Sequence, residues 1–221
     1  TKLKLGLSIK TPYQLEDMMQ DVVALLDALN LAEVHVVGAS MGGMIAQLMA
    51  IHHPRRVKTL TSIMSTTGYK KLPGIDKNIR KTLMQKPVSK DYKDQMDYHI
   101  KKWQVIGSPD YPCTETDLQQ YVESMLQRGM TAKGTIRQML SIMVAGNRED
   151  ALSKLDIPSL VIHGDRDGLV NLAGGKATAQ AIPNAKLKVY PGMGHDFPVE
   201  LIPNIVDDIV THINTNLGGR T

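Results

Sequence analysis

The chain is poor in several things that would direct it elsewhere. It has one cysteine, Cys113, so no intramolecular disulfide can form, and a reducing, cytoplasmic setting is expected. No apolar stretch approaches the length needed to span a bilayer, and Thr1–Lys10 lacks a charged start followed by an apolar run and a small-residue cleavage site. Charge of either sign is not concentrated. The 26 lysines and arginines stand against 22 acids, a net charge of +4, with no basic stripe that could track phosphates. Nucleic acid and membrane are therefore not expected as partners. Aromatics make up 4% of residues, with one tryptophan and one phenylalanine, so aromatic stacking on a ligand would rest on Trp103 and the tyrosines.

What is present is a globular composition: 221 residues, 42% of them hydrophobic, enough for one well-buried core and below the size at which two independent domains are expected. Leu15, Met18, Met19, Val22, Leu25, Leu26 and Leu29 recur every three or four residues and predict an amphipathic helix, with Thr11-Pro12 as its start signal. Val34–Val37 reads as a short buried strand. A second helix runs from Met41 to His52, where Pro54 stops it, and Val57–Ile63 reads as the next strand. Between 69 and 150 no strand is legible. Helical patterns such as Tyr92, Met96, Ile100, Trp103 and Ile136, Met139, Leu140, Met143 are separated by prolines and glycines. Alternation then resumes: strand at Ser159–His163, helix at Asn171–Ala181, strand at Lys186–Tyr190, helix at Val199–Ile213. Strands alternating with helices require crossover connections, hence a mostly parallel α/β sheet. The expected organisation is a core of 1–68 and 151–221 with a helical cap insertion at 69–150.

Three segments carry chemistry. Gly38-Ala39-Ser40-Met41-Gly42 matches G-x-S-x-G between a predicted strand and a predicted helix, the context in which the serine projects from a sharp turn over the carboxyl end of the sheet. The expectation is that glycines two before and two after Ser40 let backbones approach, and that the Met41 N–H serves as oxyanion donor. A serine hydroxyl needs an imidazole to take its proton and a carboxylate to orient that imidazole. His163-Gly164-Asp165-Arg166-Asp167-Gly168 leaves the end of a predicted strand; Asp167 lies far enough into the loop to curl back over the sheet, whereas Asp165 reads as a turn former. Gly192-Met193-Gly194-His195-Asp196 follows the last strand and can carry His195 across to Ser40. His35, His52, His53, His99, His163 and His212 read as surface or packing residues, and Asp196 as a turn or capping residue within reach of modulating the imidazole. No H-E-x-x-H or comparable spacing predicts a metal site, and no phosphate or dinucleotide loop implies a cofactor.

Together with Gly43-Met44-Ile45-Ala46-Gln47 and His53-Pro54-Arg55-Arg56-Val57, these segments resemble the α/β-hydrolase superfamily, in particular its branch of methylesterases, other esterases and enol-lactonases. The resemblance implies an enzyme cleaving a small-molecule carboxylic ester through an acyl-enzyme, with Ser40 as nucleophile, His195 as base and Asp167 as its orienter. It implies no cofactor and leaves lactone or C–C bond hydrolysis, or a catalytically weak binding module, as alternatives. Within the cap, Trp103 and Met143, with Met84, Met96, Met125, Met130 and Met139, are the expected pocket lining; packing of the cap's own core is the competing reading for the methionines. Relatives of this kind also resemble one another in strands ahead of the first helix and in a turn supplying a second oxyanion donor. Thr1–Lys10 shows no such turn, so a shortened chain is expected, or one that completes its sheet by pairing with another copy as a homo-oligomer.

Overall fold

A computed structural model describes residues 11–217. The first helix, α1 (Leu15–Ala28), starts at Leu15, the first residue of the apolar pattern. Gln14 is its N-cap, and the Asp17 carboxylate accepts from the Gln14 N–H at 2.7 Å in a capping box. Glu16 and Asp17 also place negative charge at the positive end of the helix dipole. The helix buries Leu15, Met19, Val23 and Leu26 on one stripe, each contributing roughly 1.5–3 kcal/mol of transfer free energy.

Among the described residues the sheet has four parallel strands in the order β1 (Val34–Ala39), β2 (Val57–Ile63), β3 (Ser159–Gly164) and β4 (Lys186–Tyr190). Helix α2 (Met41–His52) follows β1 directly and ends at His53, ahead of a one-turn 3-10 helix at Pro54–Arg56. Register explains the division of the core. Ile63 pairs with Ile162 and Thr61 with Leu160, so one face of the sheet carries Ile63, Leu160 and Ile162, packed with Tyr190, Met193, Leu201 and Ile205. Leu60, one residue out of phase, faces the other way into a larger cluster with Leu15, Met19, Met49 and Leu152.

Between β2 and β3 the described chain is helical: α3 (Lys77–Leu83), α4 (Tyr92–Ile106), α5 (Glu115–Gln127), α6 (Ala132–Val144) and the single turn α7 (Glu149–Leu152). The α3, α5 and α6 starts are set by side-chain caps, with Asp76, Thr114 and Thr131 accepting from backbone N–H groups of the first turn. The two ends of this excursion are tied together. The Arg148 N–H donates to Thr67 O at 2.9 Å, and its buried guanidinium donates to Thr66 O, Gly146 O and Gln47 Oε1. Burial lowers the Arg148 pKa to about 10, Glu16 opposing the shift, so the side chain stays cationic at neutral pH.

Helix α8 (Leu172–Ala181), capped by Asn171, precedes β4, and α9 (Ile202–Thr215) closes the described chain. The last helix starts three residues later than the pattern at Val199 predicts, because Leu201 is its N-cap and Pro203 lies in its first turn. No helix among the described residues is long and apolar enough to cross a membrane. The segment Leu3–Leu7, a candidate strand in the sequence, lies outside the described residues.

Candidate active site

The site is assembled at the carboxyl ends of β1, β3 and β4. Ser40 occupies the single-residue turn between β1 and α2 with φ 54° and ψ −119°. That is a conformation an L-residue avoids, costing on the order of 1–3 kcal/mol. It persists because the backbone closes tightly around it: a Cβ on Gly38 would lie 2.2 Å from Gly42 O and 2.9 Å from the Ala46 side chain. The two motif glycines are not equivalent, however. A Cβ on Gly42 would meet nothing within 4 Å, so Gly42 leaves open space beside the serine rather than permitting a contact. The crowded neighbour is Gly43, whose Cβ would fall 2.6 Å from Ser65 Cβ.

As N-cap of α2, Ser40 would ordinarily turn its hydroxyl onto the helix N–H groups. It makes no such bond. Its Oγ lies 2.9 Å from His195 Nε2, and His195 Nδ1 lies 2.7 Å from Asp167 Oδ2. A carboxylate only accepts, so Nδ1 carries the proton and Nε2 is left to accept the Ser40 hydroxyl. Asp167 is buried at 3% exposure, and its other oxygen accepts from the Leu169 and Val170 N–H groups at 3.0 and 2.8 Å. Burial pushes the Asp167 carboxyl up, but hydrogen bonding from the His163 and His195 imidazoles, with the Val170 N–H, outweighs it and holds the group below the ordinary carboxylate value. The Ser40 carbonyl accepts the first N–H groups of α2, from Gly43 at 3.0 Å and Met44 at 3.3 Å. The Met41 N–H therefore belongs to a peptide held at the positive end of the helix dipole.

Ser40, His195 and Asp167 thus converge from three loops that are 155 and 28 residues apart in sequence. Asp165 lies two residues earlier, directly after β3, and accepts from the Gly192 N–H at 2.7 Å, bracing the loop that carries His195. Trp103 stands edge-on to Tyr121 at 4.9 Å within the helical excursion, and Met143 is about half exposed on α6. Neither makes a hydrogen bond or ring contact with the three polar residues. Met84, Met130, Met139 and Met143 are exposed, and the buried apolar residues within 69–150 are Ile79, Ile106, Leu118 and Val122, so those four methionines do not build its core.

Two buried residues escape the sequence pattern. His163 is not simply a packing residue. It is fully buried, its Nε2–H donates to Val170 O at 2.8 Å, and the same nitrogen lies 3.5 Å from Asp167 Oδ2. Ser65, at the end of β2, donates its hydroxyl to Ser40 O at 2.8 Å. Nothing in the local sequence marks Ser65 apart from its position two residues past a strand end. His163 stands four residues before Asp167, a spacing that has no significance until the loop folds back.

A family model for the alpha/beta hydrolase fold matches residues 6–200. A rhodomycin D methylesterase from a Streptomyces species is 23% identical over an alignment covering 91% of this chain and 74% of its own length. A 2-hydroxymuconate semialdehyde hydrolase from Pseudomonas putida is 26% identical, with coverage of 85% and 65%. Among solved structures, a meta-cleavage product hydrolase from Pseudomonas fluorescens superposes with TM-score 0.73 at 16% identity, covering 94% of this chain and 74% of that one. An enol-lactonase from Burkholderia xenovorans superposes with TM-score 0.68 at 20% identity, covering 94% and 76%. At these identities the superpositions speak for the fold alone. With the family match extending over most of its length and the strand–Ser40–helix turn set as that fold requires, the chain belongs to the alpha/beta hydrolase fold family.

Proposed function

We propose that this protein is a serine esterase that cleaves carboxylic esters through an acyl-enzyme. The observation that carries the reading is the continuous hydrogen-bonded line from Ser40 Oγ through His195 to Asp167, at 2.9 and 2.7 Å, with the serine turned away from capping its own helix. As His195 Nε2 takes the hydroxyl proton, Ser40 Oγ attacks the ester carbonyl carbon. Asp167 stabilises the imidazolium that forms. The carbonyl oxygen becomes an oxyanion at the start of α2, where the Met41 N–H donates to it. Collapse breaks the bond to the alcohol, which leaves with the proton from His195. Water then attacks the acyl-Ser40 with His195 again as base, and the acid is released. Every proton and acyl transfer is carried by side chains, so the scheme calls for no cofactor.

Trp103 and the exposed methionines of α6, Met139 and Met143, are proposed as the apolar walls that receive the substrate, with the helices between β2 and β3 as cap. A lactone is a cyclic ester and follows the same steps with its alcohol still tethered. Lactones are therefore the second class to test. The test is turnover of short-chain p-nitrophenyl esters, and labelling by a fluorophosphonate located by mass spectrometry, in the wild type and Ser40→Ala. Turnover and a Ser40 adduct, both absent in the variant, are expected. A folded wild type that neither turns over esters nor labels would overturn the esterase reading and leave a binding module.

A further inference from the structure

The hydrogen bonds that the backbone of the His195 loop makes go to two different bodies, and the division falls between Met193 and Gly194, although Gly192 also packs on Asp110 of the excursion, where a Cβ on it would lie 2.5 Å from Asp110 Oδ2. Up to Met193 those bonds go to β4 and to the loop after β3. Met193 O accepts from the Arg166 N–H at 3.0 Å, the Met193 N–H reaches Tyr190 O at 3.4 Å, and a Cβ on Gly164 would lie 2.1 Å from Met193 O. From Gly194 onward the partners come from the end of α4, in the helical excursion. The His195 N–H donates to Ile106 O at 2.8 Å. The Gly194 N–H donates to Ser108 Oγ at 2.8 Å, and the Ser108 hydroxyl in turn donates to the Asp196 carboxylate.

This arrangement follows from helix ends. The last carbonyls of a helix lack intrahelical donors. In α4, Ile106 O finds its donor in the His195 backbone, so the loop of the base serves as cap for a helix of the excursion. Ser108, at 4% exposure, uses its hydroxyl both ways, accepting from Gly194 and donating to Asp196. The approach is too close for a side chain: a Cβ on Gly194 would lie 2.4 Å from Gly107 O and 2.8 Å from Ile106 O. Three consecutive residues around the base are thereby fixed to the end of α4, while its partner Asp167 is held by the Leu169 and Val170 N–H groups of its own loop beside His163 of β3, a loop that meets the excursion at a different point, where Gly168 O accepts from the Asp76 N–H at 2.8 Å.

We propose that Ser108, through Gly194 and Asp196, is a positioning residue for His195, so that the helical excursion sets the geometry of the base as well as covering the site. Displacement of the α4 terminus shifts His195 relative to Ser40 and Asp167, and a misplacement of about 1 Å is enough to cost up to about a hundredfold in rate. The kinetic consequence rests on the esterase reading; the geometric one does not.

The test compares wild type, Ser108→Ala and Asp196→Ala, which opens the same contact from the loop side, with Val122→Ala as control. Val122 is fully buried in α5 and remote in sequence from the loop, so its truncation loosens the excursion without removing the contact. In protein labelled with 15N-histidine, the His195 Nδ1–H resonance is expected to broaden and to exchange at least about tenfold faster in Ser108→Ala and Asp196→Ala, and to stay as in wild type in Val122→Ala. With p-nitrophenyl esters, kcat is expected to fall between about ten- and a hundredfold in the two contact variants with KM within about twofold. An unchanged resonance in both contact variants, or the same change in Val122→Ala at equal Tm, overturns the proposal. If the wild type turns over no ester, the esterase reading fails and the resonance comparison decides the positioning role by itself.

Discussion

The Ser65 hydroxyl donates to the Ser40 carbonyl at 2.8 Å, and it reaches there because Met64, the residue before it, takes a left-handed φ of 43°. A buried methionine in that region is strained, by roughly 1–2 kcal/mol. The strain is offset where Ser65 fills the space left by the missing Cβ of Gly43. The carbonyl that Ser65 holds belongs to the same peptide as the Met41 N–H, so a residue just past β2 helps fix the peptide proposed to face the developing oxyanion.

Gly43→Ala is expected to destabilise the protein by about 1–3 kcal/mol through overpacking against Ser65. Ser65→Gly in the same chain should recover part of that loss by restoring the space. Urea denaturation of the two single variants and the double variant measures the coupling. Strict additivity would show that the two positions do not compete for one volume.

Asp167→Asn leaves the shape of the site but removes the acceptor that holds the His195 proton on Nδ1. A fall in kcat of about 10⁴-fold with little change in KM is expected, as for a base left in the wrong tautomer. Steady-state kinetics on the same p-nitrophenyl esters checks it; retention of even a tenth of the activity would remove Asp167 from its role.

His163→Ala should act on both stability and the site. It opens a cavity beside Gly175 and frees Val170 O, for a loss of about 2–4 kcal/mol. It also removes an imidazole that helps hold the Asp167 carboxyl low. The Asp167 pKa is therefore expected to rise, read by carboxyl 13C chemical shift against pH. His163→Gln, which keeps a side-chain donor, should lose less stability.

Two windows of acid sensitivity are expected. His212 is buried, with Nε2 3.3 Å from Pro158 O; its pKa is lowered by burial and by Lys186 and His35, against the pull of the Pro158 and Leu60 carbonyls. The unfolded chain thus binds a proton there more readily than the folded one, and stability declines as pH falls through the unfolded histidine value of about 6.5. The Asp167 carboxyl is also lowered, so its contribution is present above the unfolded carboxylate value of about 3.9 and is lost as pH falls through its folded value. Chemical denaturation at a series of pH values should show the upper decline flattened in His212→Gln and the lower one flattened in Asp167→Asn. An upper decline unchanged in His212→Gln would assign it elsewhere.

What the sequence by itself determined is whatever repeats or punctuates locally. The β-branched runs and the three-to-four spacing place β2, α2 and β4 to the residue, and the strand–Gly38-x-Ser40-x-Gly42–helix order identifies the turn on which Ser40 sits. Chain order and loop length favour Asp167 over Asp165, and Asp167 is the carboxylate that lies 2.7 Å from His195 Nδ1. The tertiary structure alone decided which distant residues share a volume. Ser108 and Asp196 are 88 residues apart, and Ser65 and Ser40 are 25 apart, beyond the ends of different strands; no periodicity links them. The motif also misplaces a steric demand: the packing of α2 on β2 crowds Gly43 and leaves Gly42 open, since close approach is a property of two surfaces and one surface's sequence cannot report it. His163 shows the same limit. Its residue type fits a packed strand end, and its contact with Asp167 exists only because the loop after β3 turns back over the sheet.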